Sequence, residues 1–176
     1  MQHDYMFEYR HIQLRPLCRE DIESLRKLRN QNLKFFLNSN YITAEQQMGW
    51  FNRYLEKNDD LMFAVELRKN PGVFIGAISL YNVDHTLKEA ECGRTVIDKD
   101  KAPIKGIGTE TTVAVCQIGF LQLGLKKITG TILKSNPRIL KVDTRAGFIV
   151  AGETEDCYKI KMTPETIQFF PEIEIE

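Results

Sequence analysis

The chain has 176 residues, 43% of them hydrophobic and 27% charged, which is enough apolar material for one domain with its own core. Lys plus Arg numbers 24 and Asp plus Glu also 24, so the formal net charge is zero and there is no basic excess of the kind a nucleic-acid binder carries. The four cysteines (Cys18, Cys92, Cys116 and Cys157) show neither C-x-x-C nor zinc-ligand spacing, which points to free thiols and no metal.

The first ten residues are polar, carry both charge signs and read as a loosely held arm, with no apolar core of signal-peptide length. No apolar run is long enough to span a bilayer. A cytoplasmic protein with no membrane or nucleic-acid partner is the expectation, and one domain over 1–176 is the economical reading.

His11 to Leu17 predicts a strand ended by Pro16, and Ile22, Leu25 and Leu28 give a helical stripe across Arg19 to Asn30. A short helical piece follows at Asn32 to Leu37. Thr43-Ala44-Glu45-Gln46 is a capping-box pattern, opening a helix that runs to about Lys57 and buries Trp50, Phe51 and Tyr54 or Leu55.

Leu61 to Leu67 and Val73 to Tyr81 read as a hairpin around the turn Lys69-Asn70-Pro71-Gly72, with Ala90 to Ile97 a third strand. Gly108 to Gly124 predicts a helix stopped by its last glycine. Lys127 to Leu133 is a strand. Pro137 to Ala146 is a helix with Asn136 as N-cap and Gly147 as its stop. Phe148 to Gly152 and Asp156 to Lys161 form a final strand pair, and Thr163-Pro164-Glu165 opens a short terminal helix. Three successive strands between helices exclude strict β-α alternation, so the class is a mixed α/β sheet with helices on both faces.

The chemistry-bearing stretch is Lys105-Gly106-Ile107-Gly108-Thr109-Glu110. Two glycines open a long helix there, and a helix start offers unpaired N–H groups and a positive dipole end to a phosphate. The spacing is wrong for a Rossmann loop, whose third glycine position is Thr111 here, and no Walker A loop is present.

With these residues in view, the segment from Glu91 through Phe148 resembles the GNAT superfamily of acetyl-CoA-dependent N-acetyltransferases. Pro103-Ile104-Lys105-Gly106-Ile107-Gly108 stands where that superfamily has its pyrophosphate loop. Asn136, eleven residues before Gly147-Phe148, with Arg145 between, resembles its Asn…basic-x-Gly-Phe block. Ile12-Gln13-Leu14-Arg15-Pro16-Leu17 and Leu28-Arg29-Asn30 are similar to the ribosomal-protein N-terminal acetyltransferase branch, as are Trp50-Phe51 and Phe74-Ile75-Gly76.

The resemblance implies a largely antiparallel sheet of about six to seven strands with a splayed parallel pair, Glu91–Ile97 and Lys127–Leu133. Acetyl-CoA lies in the splay as co-substrate, with its pantetheine arm on the backbone of Thr95, Val96 and Ile97. Its pyrophosphate lies on Lys105, Gly106, Ile107 and Gly108, and Asn136 is a further ligand; Lys99, Lys101 and Lys105 add charge nearby. Glu91 is the candidate base, because an ammonium must lose a proton before it can attack; His85 is a second candidate. Arg29, Asn30 and Tyr81 are the candidate acceptor residues, and the paired Arg29-Asn30 hints at a phosphate or carboxylate on the acceptor. Amine acceptors of three kinds compete: a protein N-terminus or other peptide amine, a small-molecule amino sugar, and a polyamine, whose site should be rich in carboxylates.

Two departures stand out. Pro103 replaces the Arg or Gln of the loop, and Asp143 occupies the position where many relatives place a tyrosine general acid. They motivate an alternative, a non-catalytic acyl-CoA binder or sensor on the same scaffold; a nucleotide-binding α/β domain of another kind is the third. The apolar tail around Ile167, Phe169, Phe170, Ile173 and Ile175 covers either the protein's own core or a second copy's, so a homodimer is one expectation.

Overall fold

The computed structural model describes residues 3–168. Eight strands make one sheet: β1 (Phe7–Tyr9), β2 (Ile12–Pro16), β3 (Asp60–Leu67), β4 (Gly76–Asp84), β5 (Glu89–Ile97), β6 (Lys127–Leu133), β7 (Ile149–Glu153) and β8 (Cys157–Met162). Their order is β1-β2-β3-β4-β5-β6-β8-β7. Neighbours are antiparallel except β5 and β6, which run parallel and pair only over Glu89–Glu91 against Lys127–Thr129. Beyond Glu91 the two strands part, and the mixed sheet opens into a cleft.

Among the described residues the α-helices are α1 (Ile22–Gln31), α2 (Ala44–Glu56), α3 (Ile107–Gln117) and α4 (Pro137–Ala146). They cover both faces, and β3 shows why. All eight of its residues are buried. Leu61, Phe63, Val65 and Leu67 point to the cluster under α3, and Met62 and Ala64 to the cluster under α1 and α2. Burial on both faces is what a central, doubly covered strand shows, and the two charged residues on the α1–α2 face, Asp60 and Glu66, are buried with Arg94 and Arg15 as ion-pair partners.

Helix starts follow local chemistry. At α2 the Thr43 hydroxyl accepts from Gln46 N at 3.2 Å, while Gln46 Oε1 accepts from Thr43 N at 2.9 Å. At α4 Asn136 Oδ1 accepts from Ile139 N at 3.2 Å, Pro137 takes the first position, and Gly147 ends the helix at φ 116°.

Several expectations shift. Phe7–Tyr9 belongs to the sheet as β1, paired with Ile12–Leu14, and His3 is buried against Phe63, so most of the expected arm is structure. Its alternation Phe7, Tyr9 was masked by flanking charge. The long helix expected over Gly108 to Gly124 is α-helical only to Gln117 and continues as a turn of π-helix, Ile118–Gln122. Gly119 packs so closely beneath Ile128, Leu125 and Leu80 that a Cβ would lie 2.8 Å from Ile128 Cδ1, and the widened turn lets the chain pass over that sheet surface. On α2 Phe51 and Tyr54 are buried, Leu55, the alternative to Tyr54, is exposed, and Trp50 is only half-buried. Thr163–Thr166 is a turn rather than a helix start within the described residues, Ile167 is buried, and the tail positions Phe169, Phe170, Ile173 and Ile175 lie outside them. Among the described residues no helix is long and apolar enough to cross a membrane.

Candidate active site

The cleft between β5 and β6 has a volume of about 750 Å³. Its β5 wall is Cys92 to Ile97, its β6 wall Gly130 to Leu133, and its far end the loop and first turn of α3. Two features of β5 shape it. The edge facing β6 carries no ladder past Glu91, which leaves main-chain groups open to an extended ligand arm. Between the pairs Ala77↔Val96 and Ser79↔Gly93, β5 carries one residue more than β4, so a bulge sits at Arg94, with φ 57°. A bulge re-aims side chains and twists the strand, which helps it diverge from β6.

Gly106 precedes α3 at φ 93°, in the left-handed region, and no side chain caps the helix. The first-turn N–H groups of α3 therefore face the cleft mouth without a side-chain acceptor, an arrangement suited to phosphate oxygens. Lys99, Lys105, Arg138, Lys141 and Arg145 stand around the mouth, and Asp143 is the carboxylate among the lining residues. Lys101 turns away, its ammonium 3.7 Å from Asp98.

The structure brings Thr95, Val96, Ile97, Lys105, Gly106, Ile107, Gly108 and Asn136 to this one cleft, together with Arg29 and Tyr81. Asn30 departs from the expectation. Its amide bridges α1 to the segment before α2, donating to Ile42 O at 2.8 Å and accepting from Ile42 N at 3.0 Å, so its hydrogen bonds go to the chain. Glu91 also lies outside the cleft lining, and its carboxylate accepts from Asn82 Nδ2 at 2.8 Å. Strand pairing sets it opposite Tyr81, whose hydroxyl is pushed up to about 12 by burial and by the charge of Glu91. Glu91 thus reaches the cleft through Tyr81. His85 sits in an exposed turn.

Asp143 is held on α4, where Thr112 Oγ1 donates to its Oδ1 at 3.1 Å. Burial pushes this carboxyl up to about 7, against the hydrogen bond from Thr112, which lowers it.

Sequence reasoning missed Arg94. Its guanidinium lies 4.3 Å from the Tyr81 ring centroid and pairs with the buried Asp60 at 2.7 Å. Gly93 inside an otherwise regular strand pattern was the available signal for a bulge. A second cavity of about 490 Å³ lies under α1 and α2 and shares Arg29, Phe36, Asn38, Arg94 and Val96 with the cleft.

A mixed sheet split at its parallel pair, with an uncapped helix start at the cleft mouth, is the architecture that the resemblance to the GNAT superfamily implies. Residues 11–149 match the acetyltransferase (GNAT) domain family. The chain belongs to that family and is an N-acetyltransferase. Spermidine N(1)-acetyltransferase of Escherichia coli K12 is 24% identical over 144 residues, covering 81% of this chain and 75% of that protein. The spermidine N-acetyltransferase of Vibrio cholerae, solved with CoA and spermine, superposes with a TM-score of 0.78 at 20% identity, over 89% of this chain and 97% of that one. The apo structure of FdhC, a nucleotide-linked sugar GNAT, gives 0.81 at 18% identity, over 93% of each chain. The expected fold class is borne out, with eight strands where six to seven were expected.

Proposed function

We propose that this enzyme moves an acetyl group from acetyl-CoA directly to a primary amine delivered from the second cavity. The observation that carries the reading is the β5–β6 splay with the uncapped, glycine-opened start of α3 at its end. In it the pantetheine arm runs along the free edge of β5 at Thr95, Val96 and Ile97, and the pyrophosphate rests on Lys105 to Gly108. Asn136 serves first as the cap of α4 and offers its remaining amide hydrogens to the cofactor arm.

The two cavities meet at Arg94 and Val96. An amine arriving there attacks the thioester carbonyl, and main-chain N–H groups of the bulged strand receive the developing oxyanion. Proton removal from the ammonium falls to Glu91, acting through the Tyr81 hydroxyl or an intervening water. The departing thiolate takes a proton from Asp143, the carboxyl of the cleft lining that stays partly protonated near neutral pH.

The similarity to the ribosomal-protein N-terminal acetyltransferase branch keeps a peptide amine as one acceptor type, and FdhC supports an amino sugar. The spermidine enzymes among the relatives support a polyamine.

Thermal unfolding with acetyl-CoA, and with NAD and ATP as controls, tests the cofactor reading. A ligand at about a hundred times its Kd adds on the order of 2.7 kcal/mol, a shift of a few degrees at this size. CoA release on a panel of amines then tests turnover. Binding without product on every amine would favour a sensor, and no shift with acetyl-CoA would remove the reading.

A further inference from the structure

The cavity under α1 and α2 is lined by Arg29, Arg53 and Arg94, and none of its lining residues is an aspartate or glutamate. Arg94 is neutralised from behind by Asp60 at 2.7 Å. The other two are not. Arg29 is partly buried, its Nε is sealed from solvent without a hydrogen-bond partner among the described residues, and its guanidinium carbon stands 4.7 Å from the Phe36 ring centroid. Burial and the charge of Arg94 both push its pKa down, the mark of a cation held away from any counter-charge. Arg53, on α2, has no ion pair among the described residues.

Three guanidiniums around about 490 Å³ with one carboxylate behind them leave an uncompensated positive field. A polyamine brings several further positive charges and finds no carboxylate to receive them. An acceptor that carries its own anion supplies the missing partner, and the planar guanidinium fork matches phosphate oxygens two at a time. Phe36 and Trp50 on the same walls offer apolar faces to a sugar ring.

We propose that this cavity binds a primary amine bearing a phosphate or diphosphate, an amino-sugar phosphate in chemical class, with Arg29 and Arg53 taking the anion so that the amine end lies toward the junction at Val96, where the cavity meets the cleft. The assignment rests on the N-acetyltransferase reading and names its substrate class. Asn30 contributes indirectly: by tying α1 to Ile42 it fixes the wall from which Arg29 projects.

The test uses the full chain saturated with CoA, so that the phosphates of the cofactor occupy their own site. Binding of glucosamine, glucosamine 6-phosphate, UDP-glucosamine and spermidine is measured by calorimetry at fixed ionic strength, on the wild type, Arg29→Met and Arg53→Met. At least one phosphorylated probe should bind tenfold or more tightly than glucosamine and spermidine, and each substitution should weaken that probe about tenfold, well beyond any change in glucosamine binding. Tighter UDP-glucosamine assigns a diphosphate linkage, and tighter glucosamine 6-phosphate a simple sugar phosphate. Preference for spermidine, no preference for phosphate, or a phosphate preference that survives both substitutions would overturn the assignment. Arg53 is exposed on α2, so Arg53→Met keeps the test decisive if Arg29→Met misfolds. An acetyl-CoA thermal shift on the same preparation separates the two failures, because its absence would sink the enzyme reading itself.

Discussion

The two cavities are built from different material. The β5–β6 cleft offers main-chain groups at its centre and mouth: the open edge of β5, the left-handed Gly106 and the first turn of α3. The cavity under α1 and α2, proposed to take the acceptor, is walled by side chains from α1, α2, the loop between them, β3 and β5, with Arg94 held by its ion pair to Asp60. A backbone site serves one invariant ligand shape and tolerates changes in side chains. A side-chain site can be retuned by a few substitutions, which is how one scaffold serves different amines.

The sharpest way to break that contrast is Arg94→Met. It strips the close partner from a carboxylate that is 2% exposed, leaving Lys57 at 3.7 Å as the remaining cation. The loss should approach about 3 kcal/mol, read as a lower midpoint in urea. Adding Asp60→Asn should recover most of the stability and none of the acceptor turnover. If the double variant turns over normally, Arg94 has no role beyond packing.

On the cofactor side, Gly106→Val places a β-branched residue at φ 93° where no atom lies within 4 Å of the new Cβ. The cost is therefore conformational, about 2 kcal/mol, and the acetyl-CoA thermal shift should shrink with it. Gly108→Ala, whose Cβ would meet Val142 at an ordinary 3.5 Å, is the control and should leave stability nearly unchanged.

Asp143→Asn joins the two halves through pH. Burial holds the folded carboxyl at about 7, above the 3.8 of a solvated aspartate. The folded state therefore holds the proton more tightly than the unfolded state does. The stability this provides is full below about 3.8 and is lost as pH rises through about 7. The asparagine variant should gain on the order of 1–3 kcal/mol relative to wild type at pH 8 and nothing at pH 4, seen as a Tm difference that grows with pH. Its turnover should fall about a hundredfold if Asp143 protonates the thiolate. Unchanged turnover would leave it a structural partner of Thr112.

The smallest effect is expected from Thr43→Ala, which removes the cap of α2 at a cost of about 1 kcal/mol. Because α2 carries Trp50 and Arg53, the acceptor KM should rise while the acetyl-CoA shift stays constant. Equal weakening of both ligands would show that the two cavities do not separate.

What the sequence determined by itself was whatever short-range chemistry governs. The capping box at Thr43, the Asn136-Pro137 start and Gly147 end of α4, the limits of β6 and the glycine-opened helix all follow from residues within one turn of each other. The resemblance to the GNAT superfamily, rather than these local signals, singled out Thr95, Val96, Ile97, Lys105, Gly106, Ile107, Gly108 and Asn136 together, and all eight line one cleft. The tertiary structure alone decided the rest. Asn30 and Glu91 had the right chemistry, but their partners, Ile42 and Asn82, are fixed by how α1 meets the next segment and how β4 meets β5. The bulge that turns Arg94 over Tyr81, and the meeting of Arg29, Arg53 and Arg94 from three elements, depend on strand register and helix packing. Contacts between residues dozens of positions apart are set by burial of shared apolar faces, and no local pattern encodes which charged side chains that burial leaves side by side.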